Sequence, residues 1–83
     1  MSNLWIGNIA PGTNDEELKE FIHKYAPPEL VLDAIERVEG DGTRPAAIIK
    51  FTGAQFGSLD NLRLRLDGMY WKGRRLVCAT SAL

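Results

Sequence analysis

The sequence predicts an α+β domain in which two helices cover one face of a four-stranded antiparallel sheet. Two stretches repeat apolar residues at helical spacing, and four others alternate or run on as strands do. Their order is β-α-β-β-α-β, the split βαβ or ferredoxin-like plan. The chain has 83 residues and 45% apolar content, which suits one two-layer core. We therefore expect residues 1–83 to form a single domain.

The first strand is Leu4-Trp5-Ile6-Gly7-Asn8-Ile9, and a turn at Ala10-Pro11-Gly12 ends it. Successive side chains of a strand point to opposite faces. Leu4 and Ile6 should therefore face the core, while Trp5 stands in water on the other face.

The first helix should begin at Thr13, because Thr13 and Glu16 have the spacing of a capping box. An apolar stripe then runs through Leu18, Phe21, Ile22 and Tyr25, and Pro27-Pro28 ends the helix.

The second helix should begin at Thr52, with Gln55 as the reciprocal cap, and end at Gly68. Its stripe is Phe56, Leu59, Leu62 and Leu66, which places Gly57 inside the helix and leaves Leu64 partly exposed.

The remaining strands are predicted over Leu30 to Val38, Pro45 to Phe51 and Arg75 to Thr80. In the second strand Ile35 should point inward, with Ala34 and Glu36 on the face of Trp5. Cys78 is expected in the core, and Trp71, in a short hairpin before the last strand, is expected to pack rather than bind.

The sheet face without helices is the predicted binding surface, because an uncovered apolar and basic face is a typical interaction site. Its candidate binding residues are Asn3, Trp5, Arg44, Ala46, Ile48, Lys50, Arg75 and Val77.

Three segments resemble the RNA recognition motif (RRM) family. The first strand is similar to the family's second ribonucleoprotein hexamer, and residues 44–51 occupy the place of its first octamer. Leu66-Asp67-Gly68 with Gly73-Arg74-Arg75-Leu76 resembles the family's ending. This resemblance implies single-stranded RNA lying across the sheet, with one base on Trp5 and phosphates near Arg44, Lys50 and Arg75.

The octamer departs from the family pattern, in which two aromatic residues face the RNA. Ala46 and Ile48 stand at those positions, and Pro45 replaces a glycine. Two missing rings forfeit roughly 2–6 kcal/mol of stacking, which is on the order of one to four decades of affinity. We expect weak binding, roughly micromolar to millimolar, with a salt slope of about −2 from three phosphate contacts.

Composition restricts the other classes of function. A net charge of −1 argues against a general polyanion binder, and one cysteine precludes an internal disulfide and favours a reducing compartment. We expect an intracellular protein, cytoplasmic or nuclear, without a membrane segment. No catalytic set, phosphate loop or metal-ligand cluster is visible, so we expect neither an enzyme nor a cofactor.

A protein-interaction module is the alternative function. With Ala46 and Ile48 in place of rings, the sheet face is aliphatic enough to hold a protein partner, and Leu64 on the second helix offers another site. Single-stranded DNA also remains open as a ligand, because ring stacking does not read the 2′-hydroxyl.

Overall fold

The computed structural model describes residues 2–38, 40, 42–53 and 57–81. Its helices are α1 (Asp15–Tyr25) and α2 (Ser58–Leu66). Its strands are β1 (Ser2–Gly7), β2 (Val31–Val38), β3 (Ala46–Thr52), β4 (Tyr70–Trp71), β5 (Arg74–Arg75) and β6 (Val77–Ser81).

The main sheet has four antiparallel strands in the order β2-β3-β1-β6, and β4 and β5 form a separate two-stranded hairpin. The two central strands belong to different βαβ halves, as the ferredoxin-like plan requires. The predicted fold class is therefore confirmed, with the hairpin inserted between α2 and the last strand.

One hydrophobic core lies between the sheet and the helices. Its fully buried large side chains come from β1, α1, β3 and α2 and from two loop positions: Leu4, Ile6, Ile9, Leu18, Ile22, Ile49, Phe51, Leu62, Leu66 and Leu76. Leu4 and Ile6 are among them, so β1 has the predicted orientation and Trp5 belongs to the opposite face.

A bulge in β2 explains its imperfect alternation. Leu32 pairs with Phe51, but Ala34 pairs with Lys50, so the register shifts at Asp33. The extra residue lets both Leu32 and Ile35 pack against the core. Ala34 and Glu36 then face the same side as Trp5, as predicted.

Helix α1 is capped one residue later than the sequence predicted. The capping box is Asn14 with Glu17: the Asn14 side chain accepts from the Glu17 N–H at 2.8 Å, and the Glu17 carboxylate accepts from the Asn14 N–H at 3.1 Å. Thr13 is buried, and its hydroxyl donates to the Ala10 carbonyl at 2.7 Å. That bond closes the preceding turn, which is why Thr13 is unavailable as the cap.

The predicted start of α2 is wrong. Thr52 is the last residue of β3, and the N-cap of α2 is Gly57, without a side-chain cap bond. Gly57 has a φ of 93°, a left-handed value that glycine adopts without strain, so it starts the helix rather than lying inside it. Gln55 and Phe56 lie outside the described residues. Leu64 is 59% exposed on the helix surface.

The β4–β5 hairpin packs on α1. The Trp71 ring stacks on Phe21 with 4.3 Å between centroids and an 18° interplanar angle, and Phe21 meets Tyr25 edge-on. Trp71 is therefore a packing residue, as predicted. Arg75 pairs with Tyr70 in this hairpin, so the prediction that it belongs to the last strand is wrong.

No helix in the described part of the chain is long and apolar enough to cross a membrane.

Candidate functional site

The open face of the sheet is mostly aliphatic around one aromatic ring. Trp5 lies at its centre, paired with Ile48 on β3 and with Ala79 on β6. The register places these residues on the same face: Asn3, Trp5, Val31, Ala34, Glu36, Val38, Ala46, Ile48, Lys50, Val77 and Ala79.

The Trp5 indole lies flat along its own strand, over Gly7. A Cβ built on Gly7 would come within 2.2 Å of the indole Cη2 and 2.8 Å of Cζ2 and Cζ3. The far edge of the ring therefore occupies the space that any other side chain at position 7 would fill. One face of the indole rests on the backbone, and the side chain is half-buried rather than standing free in water as predicted.

A groove of about 700 Å³ opens beside Trp5, where β1 ends and β6 begins. Its described lining residues are Trp5, Asn8, Arg44, Arg74, Arg75 and Val77. They include three arginines and no carboxylate, so the described lining of the groove is positively charged and has one aromatic residue. Arg44 is exposed, and no carboxylate in the described part of the chain pairs with it.

Arg74 links two loops beside this groove through hydrogen bonds. Its Nη1 donates to the Ile9 carbonyl at 3.0 Å and to the Thr43 carbonyl at 2.9 Å. The hairpin is thereby tied both to the β1–α1 loop and to the loop before β3. A guanidinium suits this role because its donors are fixed in a plane and it keeps its charge.

Asn8 and Arg75 form a second tie across the same end of the sheet. Asn8 has a left-handed φ of 61°, which asparagine tolerates, and its Nδ2 donates to the Arg75 carbonyl at 2.9 Å. The Arg75 guanidinium lies beside Gly68, with Nε and Nη2 both 3.6 Å from where a Cβ would stand on that glycine. Arg75 is predicted as a phosphate contact. It lines the groove beside Trp5, with its guanidinium near Gly68, and its role in binding stays a prediction.

Lys50 is already paired on the open face. Its Nζ lies 3.3 Å from a carboxylate oxygen of Glu36, the diagonal neighbour on β2. This partner offsets the charge that Lys50 was predicted to offer to a phosphate.

The aliphatic candidate residues differ in how much of their surface is exposed on the open face. Val77 is 50% exposed, Ile48 is half-buried, and Ala46 is only 5% exposed and offers almost no surface. Asn3 is half-buried on the same face, opposite Lys50. The role of all these residues in binding stays a prediction.

Three residues that shape the site were not identified from the sequence. Gly7 carries the indole, Arg74 ties the loops, and Glu36 neutralises Lys50. The alternation of β1 places residues 5 and 7 on one face of the sheet. The contact between Trp5 and Gly7 could therefore have been predicted from the sequence. The partners of Arg74 and Lys50 come from distant parts of the chain, and no pattern in the sequence indicates these contacts.

In the part of the chain that the structure describes, further grooves lie on the helical side. One of about 410 Å³ lies between α1 and the hairpin, where Glu17 pairs with Lys72 beside Trp71. Another of about 540 Å³ lies between the end of α1 and α2. Among the described residues no cluster of three or more histidine, cysteine or acidic side chains is suited to hold a metal ion.

Solved structures of two RRM domains and of an RNA-binding protein share this fold. Pes4 RRM3 matches with a TM-score of 0.77 and 15% identity, covering 98% of this chain and 92% of that one. RNA Binding Protein PG1 matches with a TM-score of 0.76 and 13% identity, covering 100% and 96%. The Rna15 RRM with bound RNA (GU) matches with a TM-score of 0.73 and 18% identity, covering 98% and 83%.

At these identities the likeness concerns the fold. No family model matches the sequence, and no curated protein matches it either. The chain has the RRM fold, which confirms the predicted resemblance at that level.

Proposed function

We propose that this domain binds single-stranded RNA weakly on its open sheet face, with one base stacked on Trp5. The observation that carries the proposal is the position of the indole. It lies flat on the face that no helix covers, beside a groove lined by Arg44, Arg74 and Arg75. The RRM fold adds support, since the Rna15 RRM structure contains bound RNA.

Stacking on Trp5 supplies the main binding energy in this account. One ring face rests on Gly7, so the other is available to a base without any rearrangement. Base–aromatic stacking contributes about 1–3 kcal/mol per base. Because Ala46 and Ile48 supply no second ring, we expect dissociation constants of roughly 10⁻⁶ to 10⁻³ M.

Fewer phosphate contacts are expected than the sequence suggested. Lys50 is paired with Glu36, and the Arg75 guanidinium lies beside Gly68. Arg44 is then the principal phosphate partner. One neutralised phosphate on a single strand gives a salt slope of about −0.7 instead of about −2.

Substitution of the ring tests the proposal. A mixed-sequence RNA octanucleotide is titrated calorimetrically into wild type, Trp5→Ala and Tyr70→Ala. Tyr70 is a matched control, because it is an aromatic residue 72% exposed on the hairpin, away from the open face.

Trp5→Ala is expected to weaken binding about 5- to 150-fold, the equivalent of one lost stacking contact, while Tyr70→Ala leaves it unchanged. Equal affinity of Trp5→Ala and wild type would refute the stacking role. A matching DNA octanucleotide, run in parallel, shows whether the 2′-hydroxyl is read.

A protein partner on the same face is the second candidate function. It is favoured by exposed aliphatic side chains there, since Val31, Val38 and Val77 are 56%, 41% and 50% exposed. Ile48→Asp would disrupt such an interface, whereas Leu64→Asp on α2 serves as its control. Sedimentation at rising concentration, or capture of a partner that only Ile48→Asp loses, would favour this candidate over RNA.

A further inference from the structure

Resting on the proposed function, we infer that the RNA site is short: it holds one or two nucleotides at the end of the sheet where β1 ends, and does not extend across the sheet. The remaining open face adds little affinity. The ligand class is therefore a short single-stranded element, such as an end or a flipped-out nucleotide, bound by one base and one phosphate.

The direction of the indole is the first reason. Its far edge lies over Gly7 and not toward Asn3, so the ring surface extends to the last residue of β1. Gly7 pairs with Val77, which lines the groove. A base stacked on this ring lies at the mouth of the groove, within reach of that end of the sheet.

Charge is the second reason. The described lining of the groove includes Arg44, Arg74 and Arg75 and no acidic residue. Arg74 is fixed by two backbone carbonyls, so its positive charge stays in place beside the groove. An anion is attracted to this end, and a base on Trp5 has its phosphate next to the exposed Arg44.

Among the described residues, the rest of the open face has neither an aromatic ring nor a cation without a carboxylate partner. On β2 and β3 its side chains are aliphatic or small, apart from Glu36, Lys50 and Thr52, and the first two pair with each other at 3.3 Å. An aliphatic side chain offers no π-face, and a paired lysine offers little net charge. A third nucleotide ordered there loses conformational freedom without a matching contact.

Ligand length tests this inference. A 5′-phosphorylated mixed-sequence ribodinucleotide and an octanucleotide of the same composition are titrated into the wild-type chain under one buffer condition. An octanucleotide offers about seven overlapping dinucleotide frames, so a confined site gives it an advantage of at most about tenfold. An advantage above about 50-fold would overturn the confined site while leaving RNA binding intact.

Two charge variants locate the phosphate. Arg44→Gln is expected to weaken dinucleotide binding about three- to tenfold, and Lys50→Gln to change it less than twofold, roughly within the range of a surface ion pair. The reverse ranking would overturn the inference. If neither RNA binds wild type at millimolar protein concentration, the proposed function itself fails, which is a different outcome from a long site.

Discussion

At the scale of single residues, the site depends on a missing side chain. Trp5 can lie against the sheet only because position 7 carries no Cβ. Ile48 and Ala79 are the residues paired with Trp5 on the two neighbouring strands. The stacking surface is therefore preorganised, which lowers the entropy cost of binding a base.

Gly7→Ala tests that arrangement. The added methyl group would overlap the ring edge, so the indole must rotate away from the strand and become more exposed. Trp5 fluorescence should shift to the red, and RNA affinity should fall about three- to tenfold, part of one stacking contact.

The Gly7 α-protons give an independent reading of the same contact. They should resonate upfield in wild type through the ring current of Trp5, and return to ordinary values in Trp5→Ala. Ordinary shifts in wild type would show that the ring does not lie over Gly7.

At the scale of secondary-structure elements, the hairpin is fixed to α1 by packing and by charge. Trp71 stacks on Phe21, and Lys72 pairs with Glu17 in the first turn of α1. The pKa of Glu17 is lowered, first by the hydrogen bond from Lys72 and then by the backbone N–H of Asn14. One carboxylate thus serves both the helix cap and the hairpin.

This coupling predicts a pH dependence of stability. A carboxylate with a lowered folded-state pKa stabilises above its ordinary value of about 4.5 and loses that effect as pH falls through the folded-state pKa. Lys72→Gln should therefore be less stable than wild type near neutral pH, and the difference should shrink below pH 4.5. Denaturant unfolding of wild type, Lys72→Gln and the exposed control Lys19→Gln at several pH values measures this difference in stability. A difference that stays constant down to pH 3 would contradict the role of Glu17, since about pH 3 lies below typical glutamate pKa values.

The orientation of a strand could be predicted from the sequence where one of its faces is buried. The core sides of β1 and β3 must be apolar, so alternation alone gave their orientation. Caps were less predictable, because Thr13 and Asn14 are both good N-cap residues and a bond to the Ala10 carbonyl decides between them. The Lys50–Glu36 pair required the register across the bulge at Asp33, which single-strand patterns do not contain.

At the scale of the whole molecule, α2 and β6 are joined through Asp67 and Cys78. The Asp67 carboxylate accepts from the Cys78 backbone N–H at 2.9 Å, and the Cys78 side chain is only 5% exposed. Burial raises the pKa of the Cys78 thiol to about 12, and the nearby Asp67 charge adds to the effect. The reactive thiolate is therefore scarce in the folded protein.

Thiol reactivity should consequently report global unfolding. At about pH 8 we expect Cys78 to react with a thiol reagent slowly in native buffer and within minutes in about 6 M guanidinium chloride. Intermediate denaturant should raise the rate in step with the unfolded fraction seen by far-UV circular dichroism. Rapid, complete labelling of the native protein would show that the β6 side of the core opens locally.

The two tryptophans distinguish RNA binding on the open face from binding on the helical side. Trp5 lies on the open face and Trp71 stacks on Phe21 on the helical side, so each indole N–H reports one side of the molecule. In a nitrogen–proton correlation spectrum titrated with mixed-sequence single-stranded RNA, the Trp5 indole and the amides of Asn8, Arg44 and Val77 should shift, while the Trp71 indole stays in place. Shifts at Trp71 without shifts at Trp5, or no shifts at millimolar RNA, would refute the binding of a base to Trp5.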